Sequence, residues 1–349
     1  MAMTRPVLTS VGAASAAALA LVFVASPAQA VGSSYVALGD SYSSGVGTRA
    51  YLNDGTSCQR SVYAYPSLIA AARGYSLTLR ACSGATVADV TTGQLSALAS
   101  STAYVTLSVG GNDAGFASVL TECAKPGWLS NCNGAIDRAQ ATINGVLPSR
   151  LTTLYASIRV KAPNAKVVIV GYPRVFNGQD CNALTWFSPA EETRLNATAD
   201  LLNSRLATAA GSAGFTFANP TSAYVGHAVC DSAEWINGLS SPITDSYHPN
   251  RAGHASGYTP VVSTRLTGAA LRVTTAVQQA AAASADRLVS QTRPYVAQDA
   301  RVTPKEFVLP DLNTPAARAA ATSAGVDLSS RASIDAADRR ADALQNVGR

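Results

Sequence analysis

Short apolar runs alternating with helix-length stretches constrain this chain more than any other feature. Residues 34–38 (SYVAL) read as a buried strand that stops at the turn Gly39-Asp40-Ser41. Residues 77–81, 104–109 (YVTLSV), 167–170 (VVIV) and 215–218 supply four more; the run at 104–109 ends at Gly110-Gly111 and that at 167–170 at Gly171 and Pro173. Between them lie helical stretches at 139–160 and 189–210. The second has Ser188 to cap it, Pro189 at its first position and Glu191 and Glu192 in its first turn. This alternation predicts an α/β fold, a five-stranded and mostly parallel sheet with helices on both faces. Sites in such sheets form at the carboxyl ends of the strands. That rule selects Ser41 after the first strand, Gly84 after the second and Asn112 after the third.

The N-terminus predicts export. Arg5 precedes an apolar stretch from residue 11 to 25, and small residues close it at Ala28-Gln29-Ala30, so residues 1–30 read as a cleaved signal peptide. The apolar core is shorter than the ~20 residues that spanning a bilayer needs. Six cysteines follow, an even number that in an exported protein implies three disulfides. Six allow fifteen pairings; proximity along the chain favours Cys58–Cys82, Cys123–Cys132 and Cys181–Cys230. No Cys/His cluster has zinc-ligand spacing, so no metal is expected. The 26 basic and 21 acidic residues are scattered, without the Lys/Arg run that grips a phosphate backbone, which argues against nucleic-acid binding.

Composition changes near residue 260. Residues 261–349 hold 11 basic and 8 acidic side chains among 89, are dominated by Ala, Thr, Ser and Arg, and have only Tyr295 and Phe307 as aromatics. A last core helix is expected over 260–270. Beyond it, surface helices packed on the core and a loose tail are both compatible with the sequence. The expected division is a catalytic domain at 31–272 and an extension at 273–349. Removing residues 280–349 is expected to spare turnover of small esters.

A serine hydroxyl needs a base to take its proton and preorganised donors for the oxyanion it creates. The G-x-S-x-G elbow that serves this purpose in one large group of hydrolases is absent. Ser41 instead sits where a strand turns into a helix, so its own amide can face the oxyanion. Gly84 offers close backbone approach and a second N–H, and Asn112 a neutral side-chain donor that does not titrate. Asp40 and Asp113 read as braces for these loops. Of the three histidines, His248 has Asp245 three residues before it and Pro249 after it, suiting an imidazole held in a fixed loop. His254, near the start of a helix, and His227, close to Cys230, read as structural.

Four blocks occur in order: Gly39-Asp40-Ser41 with Ser43 and Gly45; Ser83-Gly84-Ala85-Thr86; Gly110-Gly111-Asn112-Asp113; and Asp245-Ser246-Tyr247-His248. In these the chain resembles the GDSL, or SGNH, hydrolases over about residues 34–270, and is most similar to their secreted, three-disulfide actinobacterial lipases and esterases. The resemblance implies a three-layer α/β/α, flavodoxin-like sandwich and a secreted monomer acting on fatty or other carboxylic esters, phospholipids and thioesters included, without a cofactor. It puts the nucleophile on Ser41, the base on His248 and the oxyanion donors on Ser41, Gly84 and Asn112. Asp245 is expected to orient His248 through its carboxylate, although some members of the family use a main-chain carbonyl from this position. Tyr42, Tyr51, Trp128, Trp186, Phe187 and Trp235 stand equally as walls of an acyl groove and as core residues. The same blocks serve carbohydrate acetyl esterases. A non-catalytic binding module is the reading from another class, and the intact serine, histidine, glycine and asparagine positions speak against it.

Overall fold

A computed structural model describes residues 1–3 and 32–347; the signal peptide expected at residues 1–30 falls almost wholly outside the described residues. In chain order the strands and helices are β1 (Ser34–Gly39), α1 (Ser41–Ser44), α2 (Tyr65–Arg73), β2 (Ser76–Leu79), α3 (Val87–Gly93), β3 (Tyr104–Ser108), α4 (Phe116–Cys123), α5 (Cys132–Asn144), α6 (Leu147–Lys161), β4 (Lys166–Val170), α7 (Pro189–Ser212), β5 (Thr216–Ala218) and α8 (Thr259–Thr267). The extension adds α9 (Thr275–Ala282), α10 (Ala285–Thr292), α11 (Val296–Asp299), α12 (Pro315–Ala324) and α13 (Arg331–Val347).

The sheet order is β2-β1-β3-β4-β5 and every pairing is parallel. Parallel strands are joined by crossover helices that cover both faces of the sheet. Here α2, α8 and α9 pack together, and α3, α5, α6 and α7 pack together. Covered on both sides, the central strands are apolar at nearly every position: Val36, Ala37, Leu38, Val105, Leu107, Val167, Val168, Ile169 and Val170 are all buried. The single helix expected over 139–160 is two, broken at Asn144-Gly145. Pro148, at the second position of α6, lacks only an N–H that a helix's first turn leaves unpaired in any case. Before α8 the chain makes a π-helical stretch, Gly253–Tyr258. The helix α7 starts as expected, with Ser188 and Glu191 forming a reciprocal capping box.

The three disulfides join Cys58 to Cys82, Cys123 to Cys132 and Cys181 to Cys230. No described helix is long and apolar enough to cross a membrane.

The extension packs on the core. From Gly32 onward the chain is one compact unit, with no division near residue 272. Helix α9 lies on α2, and α10 covers the edge strand β2, burying Leu288. Asp299, at the end of α11, is inserted between two fully buried arginines, 2.6 Å from Arg60 and 2.9 Å from Arg80. Arg60 also pairs with Asp54 at 2.8 Å, and the guanidinium of Arg80 lies 4.0 Å from the ring centre of Tyr295. Two cations thus face two anions, one of them supplied by the extension, as buried charges require. Farther on, the amide of Gly127 donates to Asp338 of α13 at 2.6 Å, and the indole of Trp186 donates to Asp335 at 3.0 Å. The compositional break near 260 is therefore not a physical one. This packing speaks against the expectation that removing residues 280–349 spares turnover of small esters, which a truncated protein tests directly.

Candidate active site

Ser41 follows β1 directly, and three features fix that turn. Gly39 adopts φ = 128°, and a Cβ there would stand 2.4 Å from the carbonyl oxygen of Ser108. Both of its backbone groups are held by the buried side chain of Gln94, its N–H donating at 2.7 Å and its carbonyl accepting at 2.8 Å. Asp40 caps α1, accepting from the Tyr42 amide at 3.1 Å and from the Ser108 hydroxyl at 2.7 Å. The hydroxyl of Tyr172 reaches its other oxygen at 2.5 Å. Burial raises the pKa of Asp40 to about 6 against the pull of these donors. It is a brace, as its position suggested. Asp113 braces likewise, accepting from the Val87 amide at 2.9 Å.

The Ser41 hydroxyl lies 2.9 Å from Nε2 of His248. On the far side of the ring, Nδ1 is 2.9 Å from the carbonyl oxygen of Ser246. A carbonyl only accepts, so Nδ1 carries the proton and Nε2 is left as acceptor for the seryl hydroxyl. Burial lowers the imidazole's pKa to about 4, opposed by the bond to Ser246 and by the charge of Asp245. The residue is half-buried and lines the cleft beside Ser41. At neutral pH it is an unprotonated base beside a hydroxyl.

Asp245 does not hold the imidazole, contrary to the carboxylate pairing expected from the D-x-x-H spacing. Its fully buried carboxylate accepts from the Tyr51 hydroxyl and lies 3.8 Å from Arg49. The cause is local: Asp245 ends a 3-10 turn, and Tyr247 adopts φ = 60°, in the left-handed region that bulky residues rarely enter. That fold-back brings the Ser246 carbonyl to Nδ1 and leaves the carboxylate facing the other way. Packing holds Tyr247 in place, its ring against Phe176, Phe187 and Phe307 and its carbonyl bonded to Tyr42 at 2.8 Å.

Gly84 and Asn112 come to the same cleft as Ser41. The amides of Ser41 and Gly84 find no acceptor among the described residues. Asn112 donates one amide hydrogen to the carbonyl of Ala85 at 3.0 Å, which fixes the group and leaves the second hydrogen available. Ser41, Gly84 and Asn112 thus line the cleft that holds His248, and each brings to it an N–H that no acceptor among the described residues takes up.

Two clefts meet at Ser41. One, of about 760 Å³ including space open to solvent, is walled mainly by apolar side chains, among them Phe116, Val119, Ile143, Val175, Leu195 and Leu202. The other, about 420 Å³ on the same basis, contains His248, Gly84, Thr244 and Ser246 and is bounded by Lys305, Glu306 and Phe307 of the extension. Of the aromatics weighed as groove walls, Tyr42 alone lines either cleft; Trp235 stacks on His227, and Trp186 binds Asp335. The other aromatic walls, Phe116, Tyr172, Phe176 and Phe307, carry no sequence signal that separates them from core residues. His254 is buried and accepts from the Tyr65 amide at 3.3 Å, and burial holds its pKa near 3. His227 bonds the Ala233 carbonyl at 2.7 Å. Both histidines stand apart from the reacting serine, as expected.

A hydroxyl hydrogen-bonded to a neutral imidazole, at the carboxyl end of a parallel sheet and beside unpaired donors, is the geometry of a serine hydrolase on a three-layer α/β/α frame. The chain belongs to the GDSL-like lipase/acylhydrolase family, whose pattern matches residues 37–256. It is 43% identical over 260 residues to Lipase 1 of Streptomyces coelicolor, covering 73% of this chain and 96% of that one. A Streptomyces rimosus lipase is 41% identical over 231 residues, 66% of this chain and 85% of the relative. Among solved structures, phospholipase A1 of Streptomyces albidoflavus superposes with a TM-score of 0.63 at 40% identity, covering 67% of this chain and all of the other. The chain is a carboxylic ester hydrolase.

Proposed function

We propose that this protein is a secreted lipase or esterase that cleaves fatty-acyl esters through an acyl-enzyme on Ser41. The observation that carries the reading is the 2.9 Å contact from Ser41 Oγ to an imidazole whose tautomer the Ser246 carbonyl fixes. As Oγ attacks the ester carbonyl carbon, its proton passes to Nε2 of His248. The oxyanion is received by the amides of Ser41 and Gly84 and by the side chain of Asn112. His248 then returns the proton to the leaving alcohol. Water, deprotonated by the same nitrogen, releases the acid and restores the serine.

The apolar cleft beside Ser41 supports a fatty-acyl substrate over an acetyl group, which would leave most of that surface unfilled. The names of the Streptomyces relatives, lipases and a phospholipase A1, favour the same class. The three disulfides and the extracellular lipase of S. rimosus, matched at 39% identity with a TM-score of 0.63, support secretion. Hydrolysis of p-nitrophenyl esters from acetate to palmitate tests the substrate class. The expected optimum lies at medium or long chains, and a sharp preference for acetate would contradict it.

A further inference from the structure

The extension reaches the catalytic residues themselves. Between α11 and α12 the chain runs without regular structure, and Lys305, Glu306 and Phe307 of this stretch line the cleft that holds His248. It is anchored on both sides: Asp299 is locked between Arg60 and Arg80, and the Val308 amide donates to the Thr121 hydroxyl at 3.0 Å. In the middle, Phe307 is buried with its ring edge-on to Tyr247 at 5.0 Å, one residue from the base. Pro304 sits against Gly84 so closely that a Cβ on the glycine would lie 2.5 Å from the proline Cα. Family membership does not account for this segment. The family match ends at residue 256, and the S. albidoflavus structure is covered completely by 67% of this chain.

The reaction geometry says which half of the ester meets this wall. His248 must protonate the leaving oxygen, so the alcohol lies on the side of the seryl oxygen where Nε2 can reach it. Of the two clefts at Ser41, the one bounded by Lys305, Glu306 and Phe307 contains His248, and the apolar one does not. We propose that residues 304–307 of the extension are the specificity-determining wall for the alcohol half of the substrate, narrowing its cleft so that slim primary alcohols leave readily and broad ones are excluded. The inference rests on the assignment of Ser41 and His248 made above. It assigns a selectivity to a segment outside the family fold, and leaves acyl preference to the apolar cleft.

The test uses the full-length protein and two ester series. In one the acyl group is held at butyrate while the alcohol grows from ethyl to cyclohexyl to menthyl. In the other the alcohol stays ethyl while the acyl chain lengthens. Phe307→Ala removes the anchor on Tyr247. The double variant Lys305→Gly/Glu306→Gly trims only exposed side chains, and so keeps the test usable if Phe307→Ala does not fold. The expected result is a rise of about tenfold or more in kcat/KM for menthyl relative to ethyl butyrate in either variant, with ratios within the acyl series holding to about twofold. An unchanged alcohol ratio in folded variants, or equal shifts in both series, would overturn the proposal. Failure of the unaltered protein to turn over any ester would instead strike the assignment of Ser41 and His248 on which it rests.

Discussion

The carbonyl oxygen of Ser246 stands 2.9 Å from Nδ1 of His248, in the place where many serine hydrolases put a carboxylate. A carbonyl supplies the acceptor that fixes the tautomer, but only a partial charge to stabilise the imidazolium. Asp245 contributes at a distance, its charge raising the imidazole's pKa without touching the ring. Asp245→Asn is therefore expected to lower kcat by less than about tenfold and to move the acid limb of the pH profile downward. A loss of about 10²–10⁴ would restore the carboxylate as the orienting group.

The pH dependence follows from the base. Only unprotonated His248 can accept the seryl proton, and burial drives its pKa from 6.5 toward 4. The limb of kcat/KM against pH that rises with pH should inflect below 6.5, with activity lost as pH falls through that inflection. An inflection at or above 6.5 in the free enzyme would mean that the imidazole is more solvated, or more strongly paired with an anion, than its surroundings indicate.

Asn112 is held by the Ala85 carbonyl with one amide hydrogen to spare. Asn112→Ala should reduce kcat by about 10²–10³ with a smaller effect on KM, since an oxyanion donor acts mainly in the transition state. Steady-state kinetics on one p-nitrophenyl ester decides it, and a change confined to KM would make Asn112 a ground-state contact.

Asp299 ties the extension to the core. Asp299→Ala leaves Arg60 and Arg80 buried with only Asp54 between them and should cost about 3–5 kcal/mol of stability, read from urea denaturation. Truncation before residue 280 removes the same carboxylate together with the buried Leu288, Val302 and Phe307, and should yield insoluble or strongly destabilised protein. A truncated protein that melts like the full chain would show the extension to be an accessory.

The sequence exposed the parts of this molecule that depend on local pattern. The strands β1, β3 and β4 were legible because strands covered on both faces must be apolar throughout, and Ser188 and Glu191 because a capping box needs only four residues. Ser41, Gly84, Asn112 and His248 were legible because each lies in a motif at or just beyond a strand end or in the D-x-x-H loop. Spacing does not say which oxygen of a D-x-x-H turn faces the ring, because that depends on the backbone angle at Tyr247. Gln94 and Tyr172, which hold Gly39 and Asp40, act from 55 and 132 residues away and leave no local trace. Whether the extension packs on the core was left open for a related reason. Its attachment depends on single residues, Asp299 and Phe307, whose partners Arg60, Arg80 and Tyr247 lie far back in the chain.

The proposed reaction stands or falls with Ser41 as the nucleophile and His248 as its base. Reaction of the intact protein with a fluorophosphonate, followed by peptide mapping of the adduct, tests it most directly. One adduct per chain is expected, on the peptide containing Ser41, with labelling abolished in Ser41→Ala and slowed by orders of magnitude in His248→Ala. An adduct on any other residue, or undiminished ester hydrolysis by purified Ser41→Ala protein, would contradict it.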